Sequence, residues 1–136
     1  MPLRYDASVA IVSFLAVGFG AFLGAVLRWA FGLWLNPLLP TLPLGTLAAN
    51  LLGGLVMGVA MGLFAQFQSL SPELRLFVTT GFLGGLTTFS TFSAETVTLM
   101  LRQQYAWTAA IVCAHLFGSL AMTLTGIGIV RVLFKT

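Results

Sequence analysis

Few residues in this chain can do polar chemistry, and most of them sit inside apolar runs. Asn50 lies one helical turn before Gly54, on the face where Gly54, Gly58 and Gly62 recur every fourth residue. An amide placed there can glue two helices together, or it can donate hydrogen bonds into a narrow polar path. Further along, Gly81-Phe82-Leu83-Gly84-Gly85-Leu86-Thr87-Thr88-Phe89-Ser90-Thr91-Phe92-Ser93 puts paired glycines and paired threonines near the middle of a long apolar run. Helix propensity is poor there, so the sequence predicts a break in the helix near mid-bilayer. Freed backbone groups are costly in lipid unless they line a cavity or bind something. Carbonyls at such breaks suit cations, and the N-termini of half-helices suit anions. The alternative is a mild glycine kink, satisfied by the hydroxyls of Thr87 and Thr88.

Beyond the break, Phe89, Phe92, Ser93 and Thr96 share one helical face, an uncommon mixture of rings and hydroxyls. Glu95 is the only acid inside an apolar run. Either it belongs to a pore, as ionisable residues within spans often do, or it lies near a mouth, solvated or bonded to hydroxyls. His115, Ser119 and Thr123 form a polar stripe with a period of four on an otherwise apolar helix. The histidine can donate to an anion with pH-dependent effect, or sit neutral against a neighbouring helix. Arg28 either snorkels to the interface or attracts anions to a vestibule. Cys113 reads as a small apolar filler; as the only cysteine it excludes an intramolecular disulfide. Hydrolytic chemistry has no support, because the histidine and the membrane acid lie on separate helices without a positioned nucleophile.

The elements that must position these residues are membrane helices. Of the 136 residues, 59% are hydrophobic and only 7% charged, against about 25% charge in a soluble domain. Such a chain cannot cover a globular surface with polar groups. A span needs roughly 20 apolar residues, so four spans with short loops use the whole chain as a single transmembrane domain, 1–136. The spans are expected at about 9–28, 45–67, 76–101 and 107–134. The first reads as a retained helix rather than a signal peptide, being of full span length with Arg4 partnered by Asp6. Pro37, Pro40 and Pro43 mark a loop over 34–43, Ser71-Pro72-Glu73 a helix cap, and Arg102-Gln103-Gln104 a tight turn. The net charge of +3 comes from few residues with no basic run, so nucleic acid is not an expected partner.

Three motifs in order, one per span, resemble the Fluc family of fluoride channels, also called CrcB-type proteins. They are Gly20-Ala21 through Gly24-Ala25 to Arg28, then Gly45-Thr46-Leu47 with Asn50 and Gly53-Gly54, and then Gly81 to Phe92 with its GGLTTFSTF core. The resemblance covers nearly the whole chain. It implies an all-α protein of the cell (inner) membrane, with its third helix broken, working as an antiparallel, dual-topology homodimer with two pores. It further implies passive fluoride export and a structural sodium ion held by the backbone carbonyls of Gly84 and Thr87. Asn50 matches the family's pore asparagine, Phe89 and Phe92 its paired pore phenylalanines, and Ser119 and Thr123 its hydroxyl track. Similar glutamates occur at the place of Glu95. The family pattern favours tyrosine where His115 stands, so that position is a departure.

Two other readings compete. A small four-span proton-coupled multidrug exporter is also an antiparallel dimer, but it places an essential glutamate in the first span, and Val9 to Leu27 contains no acid. A tetraspan assembly factor would explain the glycine seams but not the Phe and hydroxyl face beside a break.

Orientation follows from sparse charge. With four spans, Arg4, Arg75, Arg131 and Lys135 fall on one side and Arg28 and Arg102 on the other. That bias is small for the positive-inside rule, so both orientations are expected to coexist in one membrane. Two lysines added near Arg102 should bias insertion and reduce active dimers. The check is labelling of a single terminal cysteine, in a Cys113-free background, from each side of native membranes. Strictly one-sided labelling would refute dual insertion.

Overall fold

The computed structural model describes residues 7–135; Arg4 and Asp6, the expected charge pair, lie outside the described residues. All regular structure among the described residues is helical. Helix α1 is Ala7–Leu35, α2 is Leu44–Gln66 and α3 is Pro72–Leu76. A wider-wound π-helical stretch, Phe77–Leu83, leads into the short α4, Gly84–Leu86. Helices α5, Phe89–Leu101, and α6, Tyr105–Phe134, complete the chain. Three stretches are long and apolar enough to cross a membrane: Ala7–Leu38, Leu44–Gln66 and Tyr105–Phe134.

The boundaries differ from expectation where a polar group found an internal partner. The first helix does not stop at Arg28 but runs on to Leu35, because the Arg28 Nε donates to the Gly85 carbonyl at 3.0 Å instead of ending the span. The proline loop is correspondingly shorter. It opens with a 3-10 turn, Asn36–Leu38, and Asn36 Oδ1 accepts the Gly45 N–H at 2.8 Å, capping the start of α2. The stretch 76–101 is a succession of helical pieces, interrupted at Thr87 and Thr88. Cys113 is exposed on α6 rather than filling a gap.

Local signals act as anticipated elsewhere. Ser71 Oγ accepts the Leu74 N–H at 3.2 Å, with Pro72 in the first turn of α3. Gln103 takes a left-handed φ of 58° in the turn before α6. Arg75 reaches back to cap the last carbonyls of α2, donating to Phe64 O and Phe67 O at 3.3 Å each. Its guanidinium also lies 4.7 Å from the centre of the Phe64 ring.

Two glycine seams assemble the bundle. On α1, side chains added at Gly20 and Gly24 would run into the backbone of the Phe77–Leu86 region. On α2, Gly54 and Gly58 meet the Ser119 and Thr123 backbone of α6, Gly62 meets Val130, and Gly126 answers from α6 against α2. Close backbone approach of this kind lets helices associate in lipid, where burying apolar surface gives no driving force. Between the seams, Ala49, Leu83 and Leu86 form a buried cluster. A second cluster of Leu42, Leu99 and Ile111 carries Phe92 at its edge.

These contacts separate two kinds of glycine. A methyl group at Gly58 would overlap the Thr123 carbonyl, whereas one at Gly18 would meet nothing within 4 Å. Gly58→Val should therefore destabilise the protein by about 1–3 kcal/mol or more, while Gly18→Ala should be nearly neutral. Thermal unfolding of both variants in detergent checks this.

Candidate functional site: a groove beside a helix break

Thr87 and Thr88 leave the helix for extended conformations, with ψ of 152° and 118°. Their peptide groups therefore need partners from elsewhere. Thr87 serves itself backwards: its N–H and hydroxyl both donate to the Leu83 carbonyl, at 3.0 and 2.7 Å. Thr88 is served by α2. Its N–H donates to Asn50 Oδ1 at 2.8 Å, and its carbonyl accepts from Asn50 Nδ2 at 3.1 Å. Asn50 thus replaces, with one side chain, the helical neighbours that Thr88 has lost. Thr88 Oγ1 in turn accepts the Thr91 N–H at 3.1 Å and caps α5.

Two carbonyls lose their helical donors through these diversions. In a continuous α-helix the Thr88 N–H would serve the Gly84 carbonyl and the Thr91 N–H would serve the Thr87 carbonyl. The first goes to Asn50 and the second to the Thr88 hydroxyl. The Gly85 carbonyl, between them, is taken by Arg28.

Beside the break lies an open groove of about 510 Å³, walled by α2, the α4–α5 region and α6. It collects most of the residues singled out in the sequence: Asn50, Gly84, Thr87, Phe89, Phe92, His115, Ser119 and Thr123 all line it. None of its lining residues is an acid, a lysine or an arginine. Phe89 and Phe92 meet edge to face, with ring centres 5.6 Å apart and planes at 63°. Phe92 also lies against the His115 ring, centres 4.6 Å apart. Asn50 Nδ2 reaches His115 Nδ1 at 3.0 Å, tying α2 to α6. Glycines make the room: a side chain at Gly54 would crowd the Ser119 carbonyl and the Thr123 hydroxyl.

Four of the expected residues stand apart from this wall. Ser93 and Thr96 share the helix of the Phe pair but do not line the groove. The Thr96 hydroxyl donates to the Phe92 carbonyl one turn back. Arg28 is bound to Gly85, behind the break. Glu95 Oε1 accepts a short hydrogen bond of 2.5 Å from the Thr46 hydroxyl, and its Oε2 is buried without a partner among the described residues. Thr46 was the residue that sequence reasoning left without a role. The signal was present, since Thr46 stands one turn before Asn50 on the same face of α2.

Comparison with known proteins bears on the family of the chain. A family model described as "CrcB-like protein, Camphor Resistance (CrcB)" matches residues 15–127. A protein from Nitrosospira multiformis named fluoride-specific ion channel FluC is 66% identical over 116 residues, which is 85% of this chain and 91% of the relative. A protein of the same name from Thiobacillus denitrificans is 57% identical over 113 residues, 83% of this chain and 91% of its own length. A third, from Tolumonas auensis, is 52% identical over 126 residues, 93% of this chain and 99% of the relative.

The geometry makes Asn50 a support of the backbone as well as a wall of the groove. Asn50→Ala should leave the Thr88 N–H and carbonyl unpaired, at about 1–3 kcal/mol for each buried group. The variant should unfold at lower temperature in detergent than the parent protein. An unchanged unfolding midpoint would show that water serves Thr88 equally well.

Proposed function

The chain belongs to the CrcB-like family, and on that premise we propose that it is a fluoride-selective channel. It lets fluoride leave the cell passively and does no covalent chemistry. The pieces from α3 to α5 together make the third span of a four-span protein in the cell membrane, the inner one where there are two, with the Thr87–Thr88 break near its middle. Two such chains pair antiparallel, giving two pores. The open side of the groove supports pairing: Phe89, on its wall, is 79% exposed, and a side chain at Gly84 would meet only the Thr79 carbonyl, at 4.0 Å.

The observation that carries the fluoride reading is the composition of the groove wall. Fluoride is small and strongly hydrated, so a narrow path must offer donors in place of water. The edges of Phe89 and Phe92 carry partial positive charge, and the hydroxyls of Ser119 and Thr123 continue the wall on α6. Full positive charge is missing from that wall, which suits an ion that must leave as readily as it enters. Both hydrogens of Asn50 Nδ2 are engaged with Thr88 and His115. Asn50 therefore acts on the ion chiefly by holding those two partners, and meets it directly only by releasing one of them. Glu95, tied to Thr46 one turn beyond Phe92, and Ser93 and Thr96 act from behind the rings, and Arg28 braces the break from the α1 side.

The donor set at the break also fits the structural sodium that the family resemblance implies. The Gly84 and Thr87 carbonyls have lost their helical donors and both residues line the groove. Unwound backbone carbonyls are suitable oxygen ligands for sodium, and two chains would offer four. Bound there, the ion would neutralise carbonyl dipoles and hold the two chains together.

Fluoride efflux from liposomes, measured against chloride, tests the function. Within that assay Phe89→Ile and Phe92→Ile separate pore from packing. Apolar exchanges of similar volume usually cost less than about 1.5 kcal/mol, so both variants should stay folded and dimeric by size exclusion. If ring edges meet the anion, each should lose most of its flux. Normal flux in both would leave the rings as packing alone.

A further inference from the structure

The glycine seam between α2 and α6 does not keep one character along its length. Gly54 and Gly58 meet the backbone of Ser119 and Thr123, but Gly62 meets only the side chain of Val130. Beside Gly62 and Val130 a second hollow of about 510 Å³ opens, and it shares no residue with the groove at the break. Met61, Ala65 and Gln66 of α2 line it from one side, Ile127 and Arg131 of α6 from the other. One residue past Gln66, Phe67 meets Phe134 edge to face, with ring centres 5.2 Å apart, and ties the two helix ends together.

Depth divides this wall into a polar rim and an apolar floor. Helix α2 has 23 residues and is roughly 35 Å long, a little more than the roughly 30 Å of a hydrocarbon core. Its last residue, Gln66, therefore stands at headgroup level, and Arg131 faces the same hollow from the last turn of α6. Met61 and Ile127 lie about one turn deeper. Arg28 and Arg75 are occupied by carbonyls. Arg131 is exposed and has no hydrogen bond or ion pair among the described residues. No acid lines the hollow. A guanidinium presents its donors in a fork that suits phosphate oxygens, and this one has none of them engaged.

We propose that this hollow holds one phospholipid of net negative charge, its phosphate on Arg131 and Gln66 and an acyl chain along Met61 and Ile127. A bare anion fits less well. Both helices present their C-terminal ends at this level, and the carbonyls there oppose negative charge. One guanidinium then has little to spare for an ion with no other contact. A lipid adds dispersion contacts along the floor, which an empty hollow would forfeit. The sign of the headgroup follows from its neighbours. A zwitterionic lipid brings an ammonium to a rim that already carries Arg131, with Lys135 four residues further on. An anionic lipid brings none.

Native mass spectrometry of the full chain in mild detergent tests this, with dioleoyl phosphatidylglycerol and dioleoyl phosphatidylcholine offered at equal concentration. The first lipid retained should be phosphatidylglycerol by about fivefold, the factor that one arginine near an anionic headgroup supplies. Arg131→Gln should abolish the preference, and it should fold, because the side chain has no partner to lose. Ala65→Trp, which fills the hollow and leaves every charge in place, should displace the lipid. Lys135→Gln, outside the hollow, should keep most of the preference. Equal retention of the two lipids by the parent protein overturns the proposal. So does a loss in Lys135→Gln as large as in Arg131→Gln, which would mean diffuse charge attraction. Glycerol phosphate that competes as well as the lipid makes this a site for a free anion and refutes it too. A monomer–dimer ratio that changes in Arg131→Gln, with no lipid retained by the parent, assigns the hollow to a second copy of the chain instead. If Ala65→Trp fails to fold, the two charge variants still decide.

Discussion

An extended peptide packed among apolar helices survives only if its polar groups find partners. In this chain that something is the side chain of Asn50, which both accepts from and donates to Thr88. The rest of the site follows from that exchange. It turns the Thr88 N–H away from Gly84, so α4 ends; it leaves the Thr88 hydroxyl to cap α5, so a new helix begins there. Phe89 and Phe92 then lie in the first turns of the new helix rather than in the middle of an old one. A continuous helix through 84–92 would return those donors to the Gly84 and Thr87 carbonyls. The same residues would then pack, but no backbone would be open to anything else.

Reach is the second constraint, and the glycines provide it. Asn50 is a short side chain, yet it touches the break on one side and His115 of α6 on the other. This requires α2 and α6 to lie nearly backbone to backbone, as they do where Gly54 and Gly58 meet Ser119 and Thr123. The α1 seam does the corresponding work behind the break. Gly24 lets α1 settle on Phe82 and Leu86, which brings Arg28 to the Gly85 carbonyl. Small residues here are less a means of stability than a means of placing polar groups within hydrogen-bond distance.

Much of this was legible in the sequence, for identifiable reasons. Membrane helices were forced by a chain with almost no charge, and poor helix propensity pointed to the stretch in which Thr87 and Thr88 leave the helix. The period of four brought out the two seams and the stripe from His115 to Thr123. Pairings between helices were not legible, because periodicity assigns a face without naming its partner. Hence Arg28 looked like the end of a span until Gly85 supplied an acceptor, and Glu95 looked solitary until Thr46 supplied a hydroxyl. Cys113 was misplaced for the same reason: on a helix apolar outside one polar stripe, size alone does not say which way a small residue faces. Ser93 and Thr96 share a helical face with the rings, but that face is wider than the groove.

The groove is also notable for how few of its polar groups remain free. Asn50 is fully engaged, the Thr87 and Thr88 hydroxyls serve the break, and Thr123 donates to the Ser119 carbonyl of its own helix. A wall crowded with unspent donors would hold a dehydrated anion too firmly for it to leave. A wall without any would never admit one, since no polar group would replace the lost water. This wall carries the rings of Phe89 and Phe92, and one buried imidazole nitrogen beside it is left unpaired. On the channel reading proposed above, committing polar groups to the fold does two jobs at once: it satisfies the broken helix, and it thins the donors facing the path to a number from which an ion can still depart.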